Sequence, residues 1–361
     1  MPRQARFCPA GFPVHVVHRG NNRQAIFTSD DDLAGTDCRG GKRRVAGEDS
    51  TLLPYGTGAG HGSISGAGKT TSQLSWFEWF ILSLYCDTND QMTSLELLGL
   101  LFITALLVGL IGFIRTVWFI SIGYTASIVA FVVVSGVVVG AELGAVVVAQ
   151  LLTLLAWGLR LGFYLAVRER NAAYQSTIKD QTDRSQSLPL IVKVGIWISV
   201  ALLYVCMFAP AVFLAEAVSG LSKGQLLLSA AGLGIMWLGL AIETMADHQK
   251  SKLKAANPDS FASAGLYGWV RYPNYLGEIL FWLGNFLAGI VAYNAWWQWV
   301  ITLAGVICII LIMMGSTKRL ELKQNDRYGE DQDYQEYVRS VPVLFPWLPI
   351  YTFKNLRVYL G

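Results

Sequence analysis

The chain has 361 residues, of which 53% are hydrophobic and only 15% charged, with a net charge of +3. Soluble domains carry roughly 25% charged residues, so this polar coat is too thin to cover a water-facing surface of this size. The small net charge argues against a nucleic-acid partner, because membrane topology accounts for the basic clusters. The five cysteines, Cys8, Cys38, Cys86, Cys206 and Cys308, fall at no metal-ligand or redox spacing, so no metal site is expected.

Residues 1–70 are polar and Gly-rich, and the segment 1–91 carries many basic side chains, among them Arg3, Arg6, Arg19, Arg23, Arg39, Lys42, Arg43, Arg44 and Lys69. The segment lacks the long apolar core and small-residue cleavage site of a secretory signal. The opening, MPRQARFCPAGFPVHVVHRGNNRQAIFTSDDDLA, resembles the start of REP-associated tyrosine transposases. It shares their basic-aromatic opening, strand-like run and acidic DDD. The likeness ends near Ala34, before that family's His-hydrophobe-His motif and nucleophilic Tyr, which have no counterpart here. The resemblance implies a remnant fused upstream rather than a DNA enzyme. GAGKT at 66–70 imitates a phosphate-binding loop, but the Gly that such a loop requires falls on Ser63. A Gly/Ser-rich linker is the plainer reading. The apolar stretch 74–86 is shorter than a spanning helix needs. Met92 marks a natural start, and 1–91 is read as an irregular polar extension of a membrane domain over 92–361.

From residue 92 the expected fold is all-α, a multi-pass transmembrane bundle. Apolar runs of spanning length lie at about 95–114, 116–139, 143–166, 190–214, 225–246, 276–293 and 296–314. Only Arg115 separates the first two, so that hairpin must be tight. Trp296, Trp297 and Trp299 cluster where indole rings favour the headgroup layer. Seven spans put the segments 167–189 and 247–275 and the tail after 315 on one side. They hold Arg168, Arg170, Lys179, Arg184, Lys250, Lys252, Lys254, Arg271, Lys318, Arg319, Lys323, Arg327 and Arg339, whereas the other side has little more than Lys223. The positive-inside rule makes the basic side cytoplasmic. The basic N-terminal segment conflicts with the outward location this gives it.

The chemistry concentrates in AIETMADHQKSKLKAANPDSFASAGLYGWVRYPNYLGEILFWLGN, residues 241–285. A span ends in a polar run, a loop follows, and a second span opens with Pro273, which suits a helix start. Gly265 and Gly268 permit close backbone approach. Arg271, Asn274, Tyr275 and Glu278 lie within two turns of that opening, with Asn274 and Glu278 on one face. Asp247, Gln249, Lys250 and Lys252 come from the end of the previous span. Anchoring at the interface explains each lysine and Arg271 separately, and belt aromatics explain Tyr272 and Tyr275. Neither explains Glu278 and Asn285 inside a span, where an ionisable residue marks a functional site by default. Arg160 is a similar intramembrane charge, although it is near enough to the basic end to snorkel.

VRYPNYLGEILFWLGN with ADHQK upstream resembles the C-terminal domain of the steroid 5-alpha-reductase superfamily, particularly its bacterial members of unassigned substrate. WGLRLGFYLAVRER and the tail YGEDQDYQEYVRSVPVLFP are similar to further signatures of those proteins, so the likeness covers about 92–348. It implies a seven-helix fold in a bacterial inner membrane that binds NADPH from the cytoplasmic side. Arg271, Asn274, Tyr275 and Glu278 match the cofactor-contacting motif, and Asp247, Gln249 and Lys250 its upstream polar cluster. Arg160 joins these as a candidate. The implied reaction is hydride delivery to an electron-poor C=C of a lipid or steroid-like small molecule supplied by the membrane. Two departures stand out. Tyr272 occupies a position where His is usual. The Glu and Tyr that polarise the substrate carbonyl in the better-known reductases do not align here, leaving Tyr124 and Glu142 as candidates. Isoprenylcysteine and phospholipid methyltransferases, which use S-adenosylmethionine, share the Arg-x-Pro-x-Tyr-x-Gly pattern and a similar tail. A non-catalytic protein of the same fold is the third alternative.

Overall fold

The computed structural model describes residues 14–19, 22–27, 92–140, 143–170 and 186–359. GAGKT, the apolar stretch 74–86, Glu142, Lys179 and Arg184 lie outside the described residues. Contacts divide the chain into Met1–Gln73 and Leu74–Gly361. In the first unit, β1 (Val14–Arg19) and β2 (Asn22–Phe27) form an antiparallel hairpin, with Val14 opposite Phe27 and Arg19 opposite Asn22. The strand-like run of the N-terminal extension is thus a regular element.

The second unit is a helical bundle. Its helices are α1 (Ser94–Gly109), α2 (Ile122–Val139), α3 (Ala145–Glu169), α4 (Leu190–Ala217), α5 (Lys223–Ala256), α6 (Pro273–Gly289), α7 (Trp296–Tyr328) and α8 (Gln332–Ser340). Among the described residues, seven helical stretches are long and apolar enough to cross a membrane: 94–113, 116–139, 145–169, 190–220, 223–256, 273–292 and 296–328. Exposed Leu, Ile, Val and Phe side chains stud their outer faces, for example Phe163, Ile191 and Leu227. That pattern suits lipid rather than water, and the protein is an integral membrane protein.

Local chemistry sets the helix starts. Thr93 accepts from the Glu96 amide while the Glu96 carboxylate accepts from the Thr93 amide, closing a capping box on α1. Ser222 and Gln225 do the same for α5. Pro273 occupies the first turn of α6. The tight hairpin between the first two spans consists of two 3-10 turns, Leu110–Phe113 and Thr116–Phe119, on either side of an extended Arg115. Gly112 permits this fold-back, because a Cβ there would lie 2.0 Å from the Phe119 ring. The Arg115 guanidinium donates to Glu169 at 2.9 Å, which ties the hairpin to the end of α3.

Two helices continue well past the apolar runs. α5 extends to Ala256 and α7 to Tyr328, so the basic residues at their ends project beyond the hydrocarbon on helix rather than on loop. The segment after 315, expected as a tail, begins as a further three turns of α7.

Candidate functional site

The site is organised by the antiparallel pair α5 and α6, which touch backbone to backbone. Gly232 and Gly239 on α5 face Gly284 and Gly277 on α6, each pair seven residues apart. A Cβ on Gly239 would lie 2.5 Å from the Phe281 amide nitrogen and 2.6 Å from the Gly277 carbonyl. A Cβ on Gly232 would lie 2.4 Å from the Ala288 amide nitrogen. Ser229 extends the seam by donating to the Ala288 carbonyl at 2.7 Å. Small residues allow such close approach inside a membrane, where packing must replace the hydrophobic effect. The seam sets the polar residues that follow it side by side: a Cβ on Gly277 would lie 2.7 Å from the Glu243 amide nitrogen, and Glu278 is the next residue.

Glu278 is buried and accepts a hydrogen bond from the Tyr124 phenol of α2 at 3.2 Å. Glu243, also buried, accepts from the Trp157 indole of α3 at 3.1 Å and pairs with the Arg160 guanidinium. Arg160 reaches across to Asp247 as well, at 2.8 Å. Glu243 and Asp247 stand one turn apart on α5, so one guanidinium clamps two carboxylates. Tyr124 joins the two groups: its ring packs edge-on against Trp157 with centroids 5.0 Å apart and stacks on Tyr204 at 4.9 Å. Trp282 lies against Trp157 at 5.1 Å. Three carboxylates and one guanidinium therefore meet inside an aromatic shell. Deeper in the bundle, Gln150 donates to Asn285 at 2.8 Å, and Asn285 donates to the Met207 carbonyl at 2.9 Å.

Other expected residues have partners outside this cluster. Arg271 is 3% exposed and does not pair with Glu278. It donates to Glu321 of α7 at 3.2 Å and to the Tyr351 carbonyl. Gln249 accepts from the Leu266 amide at 3.0 Å. Gly265, at φ +65°, brings that loop so close that a Cβ would lie 2.7 Å from the Gln249 side chain. The backbone approach expected of Gly265 is therefore to Gln249. Tyr272 donates to Gln324 at 2.9 Å in place of any imidazole chemistry, and burial pushes its phenol far above the ordinary range. Asn274, Tyr275 and Lys250 are half-buried at the basic end.

The arrangement brings Arg160, Asp247 and Glu278 into one neighbourhood, with Tyr124 in contact. It places Arg271 in a separate ion pair. Sequence reasoning passed over Glu243, Trp157 and Glu321. Glu243 was visible as an acid four residues before Asp247 on an apolar helix that had to share a membrane with Arg160. Glu321 had no such signal, because the continuation of α7 was not expected.

An uncharacterized protein of Schizosaccharomyces pombe, C594.04c, is 32% identical over 78 residues, 22% of this chain. The chain thus spans only 22% of that relative's length. No solved structure matches the chain. Residues 101–341, well over half of the sequence, match the DUF1295 family, described as a protein of unknown function, and the chain belongs to this family of membrane-helical proteins.

Proposed function

We propose that the protein is a membrane-embedded reductase that uses NADPH to reduce an electron-poor C=C bond in a lipid or steroid-like substrate. The observation that carries this reading is the buried Glu278 carboxylate, held inside a span by the Tyr124 phenol at 3.2 Å rather than by a cation. A carboxylate in that position is costly to keep without a function. The resemblance of VRYPNYLGE to the cofactor motif of the steroid 5-alpha-reductase superfamily points the same way.

The donor set fits an acceptor-rich dinucleotide. The Trp282 indole N–H and the Nε and Nη1 of Arg271 are buried donors with no hydrogen-bond partner among the described residues. Phosphate oxygens and a carboxamide oxygen are the acceptors such donors suit. Asn274, Tyr275, Gln249 and Lys250 would contact such a ligand from the basic end, beside the Arg160–Asp247 pair. A nicotinamide held there would supply the hydride for one carbon of the double bond. Tyr124 would polarise a conjugated carbonyl once its phenol proton turns from Glu278 to the substrate oxygen. The aromatic shell of Trp157, Tyr204 and Trp282 keeps water away from the reacting atoms. The substrate enters from the hydrocarbon, so an apolar molecule suits it. Basic side chains at the ends of α5 and α7 support a cytoplasmic location for that end, in a bacterial inner membrane.

A thermal-shift titration of the detergent-purified protein tests the proposal. NADPH should raise the unfolding midpoint and S-adenosylmethionine should not. A shift with S-adenosylmethionine alone would make the protein a methyltransferase, and a shift with neither would leave a non-catalytic fold.

A further inference from the structure

The chain after α8 folds back along the end of the bundle and exposes apolar and basic side chains together. Trp347 is 65% exposed and Val358 70%, with Leu348, Tyr351 and Tyr359 also open. Lys354 and Arg357 are exposed between them. Two pins fix the depth of this strap. At one, the Arg271 amide donates to the Pro342 carbonyl at 3.0 Å, two residues before α6 begins its span. At the other, the Phe353 amide donates to Glu321 at 2.8 Å, and Lys318 donates to the Leu356 carbonyl at 2.9 Å while lying 4.4 Å from the Tyr359 ring centroid. Glu321 and Lys318 are successive contacts along α7, so the strap runs back toward the apolar part of that helix.

The helix itself gives the depth. The stretch from Trp297 in the aromatic belt to Lys318 covers roughly 32 Å at about 1.5 Å per residue, and the hydrocarbon core is about 30 Å thick. Lys318 therefore sits at the opposite interface, and the chain bound to it sits in the headgroup layer. Aromatic rings and snorkelling cations are the residues that layer selects. We infer that residues 342–359 form an interfacial strap that rests on the bilayer and binds anionic lipid headgroups through Lys354 and Arg357. Their positive charge complements the negative surface of such lipids, and Trp347, Val358 and Tyr359 insert beside them.

The test uses the full chain in nanodiscs of phosphatidylcholine with phosphatidylglycerol, its native cysteines replaced by serine. A nitroxide at Val358→Cys should collide preferentially with oxygen, as an interfacial site does, while one at Asp326→Cys, exposed farther along α7, should favour a water-soluble nickel complex. Equal access of nickel to both would overturn the proposal and leave the strap open to a soluble partner. Spin-labelled phosphatidylglycerol should associate more strongly than spin-labelled phosphatidylcholine. That preference should fall by roughly fivefold per cation removed in Lys354→Gln and Arg357→Gln, and survive the exchange of Lys354→Arg with Arg357→Lys. An unchanged preference in the glutamine variants, or its loss in the charge-conserving pair, would also overturn the proposal.

Discussion

Tyr124 and Glu278, 154 positions apart in the chain, meet through a 3.2 Å hydrogen bond between buried side chains of α2 and α6. The phenol is neutral, so it satisfies a lone pair of the carboxylate without offsetting charge. Removing that donor should destabilise the protein by ~1–3 kcal/mol, the scale for a buried polar group left unpaired. Tyr124→Phe should therefore lower the unfolding midpoint modestly. Under the reductase reading it should also lose far more turnover than NADPH affinity. Turnover that falls only in step with the folded fraction would make the phenol structural.

The glycine seam between α5 and α6 should tolerate nothing larger. Gly239→Ala forces a methyl group to within 2.5 Å of backbone, so the helices must move apart. Overpacking of this kind costs about 1–3 kcal/mol, and it also displaces Glu243 and Glu278 together. Gly234→Ala is the control, since a Cβ there meets nothing within 4 Å. Chemical denaturation in detergent should separate the two variants, with Gly234→Ala matching the native protein.

The Arg271–Glu321 pair is almost fully buried. Breaking one side of such a pair leaves an uncompensated charge, a loss of about 3–5 kcal/mol. Glu321→Ala should unfold far more readily than the native chain, whereas Arg271→Met combined with Glu321→Leu should recover much of that stability. Comparable stability in the single and double variants would show that the pair does not carry the packing of α7 against the loop before α6.

Much of the bundle was legible in the sequence, because a spanning helix announces itself by an apolar run. The ends were not. Residues 315–328 read as a polar tail, yet they continue α7, since a helix projecting into water needs no apolar pattern to persist. That missed extension is why Glu321 was not seen as the partner of Arg271. Glu278 stood out as a charge in a span, but its partner is fixed by how α2 packs on α6, and no local spacing encodes that contact. Asp247 and Arg160 each stand out as charges beside apolar runs, but their 2.8 Å pairing depends on α3 and α5 lying side by side. Tyr124 appeared only as a leftover aromatic in the N-terminal half.

The basic ends of α5 and α7 predict a cytoplasmic C-terminal end. A fluorescent protein fused after residue 359 should glow in bacteria, and alkaline phosphatase fused there should be inactive. The opposite pair of results would invert the topology.

The polar N-terminal segment should be dispensable. A chain beginning at Met92, immediately before the Thr93–Glu96 capping box, should insert and bind NADPH as the full chain does. Failure of that shortened chain to fold would make the segment 1–91 part of the membrane domain.

The most direct measurement is NADPH affinity of the native protein against Glu278→Gln, with the apo unfolding midpoint recorded beside it. Glutamine keeps the shape and one acceptor but removes the charge. The reductase site predicts an affinity loss of ~1–3 kcal/mol, the scale of a buried hydrogen bond to a charged group, with little change in the apo midpoint, and a similar result for Asn274→Ala. Variants that unfold in detergent, while the surviving fraction binds NADPH as tightly as the native protein, would contradict it and make Glu278 a structural residue.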